Sequence, residues 1–152
     1  MDALKLLKQD HDKVKKAFKK FEKMDPESSA AQQLAAQTIA DLKLHTQVEE
    51  EIFYPALRQA LEEDDLLNEA VVEHKSAKLL IQDLESMDAS DPMFAATFTV
   101  LGEYVDHHVK EEEGEMFREA RKAKLDLAGL GEQIAARKAA APAAASAPGS
   151  AR

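Results

Sequence analysis

The sequence has no cysteine, no tryptophan, and only five glycines and five prolines among its 152 residues. The lack of cysteine excludes disulfides, thiolate chemistry, zinc fingers and iron–sulfur clusters. There is no run of 18 or more apolar residues, so nothing is expected to span a membrane. The N-terminus lacks the apolar segment of a secretory signal. These absences together predict a cytoplasmic protein with no membrane contact.

Positive charge is also scarce, because 20 Lys and Arg stand against 29 Asp and Glu, for a net charge of −9 at pH 7. Nucleic-acid binding requires Lys and Arg clustered on one face. The one basic run, at residues 13–23, is typical of an ordinary solvated helix surface. We therefore expect no nucleic-acid partner. The length, with 45% apolar and 32% charged residues, is typical of one domain with a packed core.

Long segments rich in Leu, Ala, Glu, Lys and Gln, with Gly and Pro rare inside them, predict an all-α chain. Turn and cap residues delimit four helices near 2–24, 29–61, 65–87 and 92–122, and a shorter amphipathic helix near 128–139. Pro55 predicts a kink in the second helix. The short connections predict an up-and-down antiparallel four-helix bundle that, with the short C-terminal helix, covers residues 1–138. Residues 139–152, rich in Ala, Pro and Ser, are predicted to be a mobile low-complexity tail.

Each of the four long helices carries one histidine on its predicted buried stripe. Steps of three and four residues trace these stripes through apolar side chains, and two stripes also hold a glutamate one turn after the histidine. His107 and Glu111 lie about 100° further round the fourth helix, toward its edge. The histidines and glutamates on the stripes are His11, His45, Glu49, His74, His108 and Glu112.

The chain also resembles a duplicated helical hairpin. His45 follows His11 by 34 residues, and His108 follows His74 by the same distance. Each second histidine begins an H-x-x-x-E motif, HTQVE at 45–49 and HVKEE at 108–112. Each histidine lies at a similar distance from the turn of its hairpin. At about 1.5 Å of rise per residue, the two histidines of a hairpin are therefore expected at one level.

A single histidine on a buried stripe is most often a hydrogen-bonded core residue. The two glutamates are harder to explain in this way, because an unpaired buried carboxylate costs several kcal/mol. No Lys or Arg occupies the four stripes to pair with them. Four imidazoles and two carboxylates inside one apolar bundle therefore predict a site for a multivalent metal cation.

The residue types narrow the choice of metal. Imidazole and carboxylate without thiolate favour Fe, Mn, Zn or Cu over Ca or Mg. Six ligands are too many for one catalytic zinc but suit two metals bridged by carboxylates. The ferritin-like dimetal bundles use Glu-x-x-His. That family is excluded, because none of the five histidines has a glutamate three residues before it.

Four motifs in order, DH at 10–11, HTQVEEEIFYPAL at 45–57, EH at 73–74 and HVKEEEGEMF at 108–117, resemble the hemerythrin-like family of HHE cation-binding domains. The resemblance covers roughly residues 1–138. It implies a pair of non-haem iron ions, bridged by carboxylates and an oxo or hydroxo group, inside a four-helix bundle. The ligands that it implies are His11, His45, Glu49, His74, His108 and Glu112, with the two glutamates as bridges.

The chain departs from the oxygen-carrying hemerythrins at two points. Those proteins have a further histidine one turn after the third-helix ligand, where this chain has Lys78. They also have an aspartate, at wider spacing, where this chain has Glu112. Lysine is a poor iron ligand while it is protonated, so at least two coordination positions are expected to be open or filled by water or another protein group.

Three nearby side chains are candidates for further roles. Tyr104, four residues before His108, is the best candidate for an extra ligand, with a supporting or core role as the alternative. Tyr54 is expected to support the ligands or to pack beside them. His107 is expected at the edge of its helix, with ligation as the alternative.

Three classes of function follow from this resemblance and its departures. The first, which we favour, is binding or sensing of O₂, NO or reactive oxygen species at the iron pair. The second is redox enzymology at the same centre, as a peroxidase- or catalase-like activity on peroxide. The third is iron storage or handling, or a structural role in which the metal organises the bundle. Sensing would need a protein partner, since no separate output domain is seen.

Overall fold

The computed structural model describes residues 1–141, and every regular element in this range is helical. Two five-residue π-helical segments, Glu49–Phe53 (the first π turn) and Glu112–Met116 (the second π turn), lie within two of the four long continuous rods. We call residues 29–60 the first rod and residues 92–122 the second rod. The α-helices are α1 (Ala3–Glu22), α2 (Ser29–Val48), α3 (Tyr54–Ala60), α4 (Asp65–Ser86), α5 (Pro92–Glu111), α6 (Phe117–Lys122) and α7 (Leu127–Ala139). The prediction of an all-α chain is confirmed.

The four long rods pack as the predicted antiparallel bundle, with α1 against α2 and α5, and α4 against the same two helices. Asp2, Ser28 and Asp91 cap three of the rods by accepting a hydrogen bond from a first-turn backbone N–H. The ends of the rods agree with the predicted boundaries to within two residues. Among the described helices, none is long and apolar enough to cross a membrane.

The irregularity predicted at Pro55 begins earlier and has another origin. The backbone N–H of Tyr54 donates to the carbonyl of Glu49, five residues back, and Phe117 donates to Glu112 in the same way. Such i to i−5 bonds insert one extra residue into a helix and are frequent at functional sites. The second π turn has no proline within it or directly after it, so Pro55 is not the cause of this feature.

The apolar core is divided into two clusters by a polar layer. One cluster, at the end of the bundle where α7 lies, includes Leu7, Phe53, Leu57 and Phe117. The other, at the opposite end, is centred on side chains such as Phe21, Ile81, Phe98 and Leu101. The four stripe histidines lie along the rods between the two clusters. The bundle therefore holds its charged groups in the middle and is closed by apolar packing at both ends.

Helix α7 closes one side of the first cluster. Its Leu130 and Ile134 join that cluster, and Gly131 lies so close to the N-terminus that an added Cβ would stand 2.3 Å from the carbonyl oxygen of Met1. The observed helix matches the predicted one and includes Ala139. Of the segment predicted as a mobile tail, residues 142–152 lie outside the described range.

Candidate metal centre

The four stripe histidines meet at one level of the bundle, each with Nε2 directed inward. His11, His45 and His74 are buried, and the side chain of His108 is 13% exposed. The Nε2 atoms of His11 and His45 are 3.2 Å apart. The rings of His74 and His108 face each other in the same way, with centroids 4.9 Å apart. The histidines therefore form two pairs, one from each hairpin.

Each buried glutamate reaches both pairs. Glu49 is fully buried, with Oε2 3.3 Å from His45 Nε2 and Oε1 3.0 Å from His74 Nε2. Glu112 mirrors it, with Oε1 3.0 Å from His11 Nε2 and Oε2 3.4 Å from His108 Nε2. Each carboxylate thus offers one oxygen to each histidine pair. We call the group around His11 and His45 the first position, and the group around His74 and His108 the second position.

The π turns place these glutamates. Each π turn begins at the glutamate of an H-x-x-x-E motif, so the histidine and the glutamate lie on one face of regular helix and the extra residue follows them. The inserted residue lets two successive side chains face the interior below the site. On the first rod these are Phe53 and Tyr54, both buried, and Met116 and Phe117 are buried likewise on the second rod.

A second layer of four carboxylates holds the outer edges of the histidine rings, and sequence reasoning missed it. In each case Nδ1 of the ring donates to the carboxylate at 2.6–2.9 Å. The signal in the sequence is an acidic residue directly beside a predicted ligand. It is the aspartate of DH, the glutamate of EH, and the glutamate that follows each H-x-x-x-E motif. The pairs are Asp10 with His45, Glu73 with His108, Glu50 with His74 and Glu113 with His11.

These outer hydrogen bonds fix the tautomer of each histidine, so that Nε2 faces the centre with its lone pair. When Nδ1 carries the proton of a neutral imidazole, Nε2 can only accept. At the first position, the two Nε2 atoms meet Glu49 Oε2 and Glu112 Oε1, which have no hydrogen-bond partner among the described residues. Ligand atoms of these four residues all lie within 4.8 Å of one another. Two buried carboxylate oxygens without a donor, beside two imidazole nitrogens, fit a cation, and imidazole with carboxylate suits iron, manganese or zinc.

Electrostatics support the same conclusion. Burial alone would lower the pKa of His45, but the charge of Glu49 and the hydrogen bond to Asp10 outweigh it and raise the pKa to about 10. Burial is likewise outweighed at His108, where the neighbouring Glu112 raises the pKa to about 9. The cluster therefore attracts positive charge strongly, whether as protons or as metal ions.

Tyr54, rather than Tyr104, is the tyrosine at the centre. The Tyr54 hydroxyl lies 3.3 Å from the Nε2 atoms of both His74 and His108, and it donates a shorter hydrogen bond to Glu112 Oε2. Burial and the charges of the two glutamates raise the pKa of Tyr54 well above its usual value, so the hydroxyl keeps its proton. The second position therefore has a proton donor that the first position lacks.

The expectation that Tyr104 is the best extra ligand is not met by this geometry. Its side chain is 49% exposed and makes no hydrogen bond to the cluster among the described residues. Four residues turn a helix by about 400°, which leaves Tyr104 some 40° outward of His108. The π turn has the opposite effect on the first rod, where it turns Tyr54 inward.

His107 and Lys78 both lie outside the cluster. The side chain of His107 is 68% exposed and faces Glu111 at 3.3 Å, as expected for a histidine at the helix edge. Lys78 is 51% exposed, and its Nζ lies 2.8 Å from Oε1 of Glu50, the carboxylate that holds His74. The structure therefore places Lys78 behind a histidine instead of inside the cluster.

Comparison with known proteins gives three similarities. The family model for the hemerythrin HHE cation binding domain matches residues 2–120, which include all six predicted ligands. A curated DNA nickase from Nostoc sp. is 30% identical over 122 residues, or 80% of this chain and 34% of that protein, so the chain spans about a third of this relative. A crystal structure of a hemerythrin HHE cation binding domain-containing protein from Mycobacterium kansasii superposes with a TM-score of 0.78 at 26% identity, covering 90% of this chain and 85% of that chain.

The first prediction concerns which of two adjacent histidines holds metal. His108→Ala removes an inward Nε2, so we expect the purified variant to lose most of its metal, as measured by elemental analysis. His107→Ala removes an exposed ring and should leave the metal content unchanged. Glu112→Ala and Glu111→Ala form a second matched pair with the same expected contrast. Equal metal loss in both histidine variants would contradict the geometry.

The second prediction concerns pH. The raised pKa values of His45 and His108 stabilise the metal-free fold fully below about pH 6.5, the pKa of an unfolded histidine, and this stabilisation is lost as pH rises toward 9–10. Metal binding requires the same groups to lose their protons, so it strengthens over that range. The melting temperatures of metal-bound and metal-free protein should therefore diverge by several degrees between pH 6.5 and 9. A constant difference across this range would contradict the prediction.

Proposed function

Since the chain belongs to the hemerythrin HHE cation-binding domain family, we propose that its buried cluster holds two iron ions and that this pair binds O₂, NO or reactive oxygen species. His11 and His45 would hold one iron at the first position, and His74 and His108 the other at the second. Glu49 and the corresponding Glu112 would bridge them. The iron pair would supply reversible redox chemistry and coordination positions for a small ligand.

The orientation of the two glutamates carries the proposal. Each glutamate turns one oxygen toward the first position and the other toward the second, at 3.0–3.4 Å from a histidine Nε2. A single cation at one position would be approached by one oxygen of each glutamate. The pair of histidines at the other position would then have no cation to bind. Two cations use all four oxygens and all four imidazoles. This division favours two metals over one.

The space beside the cluster supports a ligand of very few atoms. A cavity of about 40 Å³ is lined by the four histidines together with apolar side chains such as Leu42, Ile81 and Val105, and Tyr104 forms part of its exposed side. A water molecule occupies about 30 Å³ of liquid, whereas pockets for organic ligands measure about 300–1,000 Å³. The apolar lining favours an uncharged diatomic molecule.

A redox enzyme acting on peroxide is the alternative, and Tyr54 is the observation that favours it. Its hydroxyl holds a proton beside Glu112 Oε2 and within 3.3 Å of His74 Nε2. A buried acid next to one position can pass a proton to a small ligand there. Tyr54 is an asymmetric element in a site that is otherwise two-fold, because Phe117 stands at the corresponding place on the second rod.

Two further functions are less well supported. The nicking activity named for the Nostoc relative belongs to a protein of which this chain matches about a third, and a net charge of −9 does not favour a nucleic-acid surface. The described centre lies between two apolar clusters beside a cavity of about 40 Å³, which does not favour the storage of many iron ions. We therefore do not carry either activity over to this chain.

The third prediction tests the number of metals by titration. Metal-free protein titrated with Fe²⁺ under anaerobic conditions should bind two ions per chain, with a break in the absorption or fluorescence signal at two equivalents. The double variant Glu49→Gln/Glu112→Gln removes both bridging charges and should bind weakly, with no break. A wild-type break at one equivalent would contradict the proposed pair.

The fourth prediction separates ligand binding from peroxide turnover. Tyr54→Phe removes one buried hydroxyl and keeps the ring, so we expect it to retain two irons. If the hydroxyl supplies a proton, peroxide consumption should fall about a hundredfold or more, in the range of general acid catalysis. Azide binding to the oxidised protein, followed by its absorption change, should persist. Undiminished peroxide consumption would show that Tyr54 is not the donor, and Tyr104→Phe provides the matched control.

A further inference from the structure

Two of the four outer carboxylates are backed by a lysine, and two are not. Asp10, which holds His45, accepts a hydrogen bond from Lys138 Nζ through its other oxygen. Glu50, which holds His74, accepts from Lys78 Nζ at 2.8 Å and 3.0 Å. These contacts form two relays, Lys138–Asp10–His45 and Lys78–Glu50–His74.

The other two outer carboxylates have no such partner. Within residues 1–141, no Lys or Arg nitrogen lies within ion-pairing distance of Glu113, which holds His11, or of Glu73, which holds His108. The second oxygen of Glu73 lies 3.7 Å from Nε2 of His107, a side chain that is itself 68% exposed. Each proposed iron position thus combines one lysine-backed histidine with one histidine whose carboxylate has no lysine or arginine behind it.

The two lysines come from unrelated parts of the fold. Lys78 is on α4, one turn after His74, whereas Lys138 is on α7, beyond the residues 2–120 that the family model matches. The internal two-fold does not relate these lysines. Lys15 corresponds to Lys78 in the first hairpin, but it makes no ion pair with Glu113 among the described residues. Helix α7, which lies outside the residues that the family model matches, supplies the relay through Lys138.

The position of α7 does not depend on this ion pair. Its apolar face packs into the first core cluster through Leu130 and Ile134. A neighbouring cation on the same helix, Arg137, pairs with Glu51 at 2.9 Å, and Glu51 holds no histidine. Loss of the Lys138 charge should therefore leave the helix docked. Arg137 supplies a matched control of equal charge.

In each relay, the lysine affects the bound metal in the same direction. A carboxylate that accepts from Nδ1–H increases the basicity of the imidazole toward a metal. An ammonium on the same carboxylate withdraws part of that negative charge, and its own positive charge also opposes charge on the metal. A ferric ion gains more from a basic ligand than a ferrous ion does. Both effects of the lysine therefore favour the reduced state.

We propose that Lys138 and Lys78 are positioning residues that raise the reduction potential of the two iron positions through Asp10–His45 and Glu50–His74. The inference rests on the proposed iron pair. Lys138 is 28% exposed and its partner Asp10 18%, whereas Lys78 is 51% exposed and Glu50 32%. Solvent and salt screen the Lys78–Glu50–His74 relay more. Lys138 therefore has the larger effect, and it acts on the first position.

The test compares Lys138→Gln, Lys78→Gln and the control Arg137→Gln, each loaded with iron. The readout is the midpoint potential in an anaerobic spectroelectrochemical titration, with iron content and melting temperature measured on the same samples. We expect the potential to fall in Lys138→Gln, to fall less in Lys78→Gln, and to stay at the wild-type value in Arg137→Gln. Lys138→Arg should restore it, because the guanidinium keeps the charge on Asp10.

Each other outcome contradicts a specific step. Two irons per chain with a Lys138→Gln potential equal to wild type, or shifted no more than in Arg137→Gln, would overturn the relay while leaving the iron pair intact. A wild-type chain that holds no iron pair would overturn the proposed function and the relay with it. If the melting temperature shows that Lys138→Gln undocks α7, the relay is tested instead by proton NMR on the zinc-loaded wild-type protein. The Nδ1–H proton resonance of His45 should lie upfield of that of His11, and the reverse order would overturn the proposal.

Discussion

The convergence of four histidine Nε2 atoms on two buried carboxylates is the constraint on which the rest of this structure depends. Glu49 and Glu112 are taken out of water almost completely, and an unpaired buried carboxylate is costly. The outer carboxylates commit the Nδ1 protons outward, so the neutral rings offer only lone pairs to the centre. The site therefore attracts positive charge, and the proposed pair of metal ions would use every oxygen and nitrogen.

The surrounding fold can be understood as support for this polar layer. Two apolar clusters close the bundle above and below it, which keeps water from screening the charges inside. Two of the four outer carboxylates cross between hairpins, since Glu113 of the second hairpin holds His11 of the first, and Glu50 holds His74 in return. These exchanges tie the two halves together at the level of the site. Geometry and electrostatics are thus set by the same residues.

Much of the fold and the inner site follows from the sequence, because both depend on helical periodicity. The stripe that placed His108 inward and His107 outward required only regular helix up to Glu112, and that prediction agrees with the structure. Tyr54 could not be placed in the same way, because the π turn that rotates it inward changes the period. Lys138 was also missed, since its contact with Asp10 depends on how α7 docks. No local pattern encodes that docking.

The most direct measurement of the central claim is anomalous diffraction at the iron edge from crystals of the iron-loaded protein. The proposed iron pair predicts two peaks inside the bundle, about 3.5–4 Å apart as in other two-metal sites. One peak should lie between His11 and His45, the other between His74 and His108, with a glutamate on either side. A single peak in the bundle, or iron only at an exposed group such as His107, would contradict it.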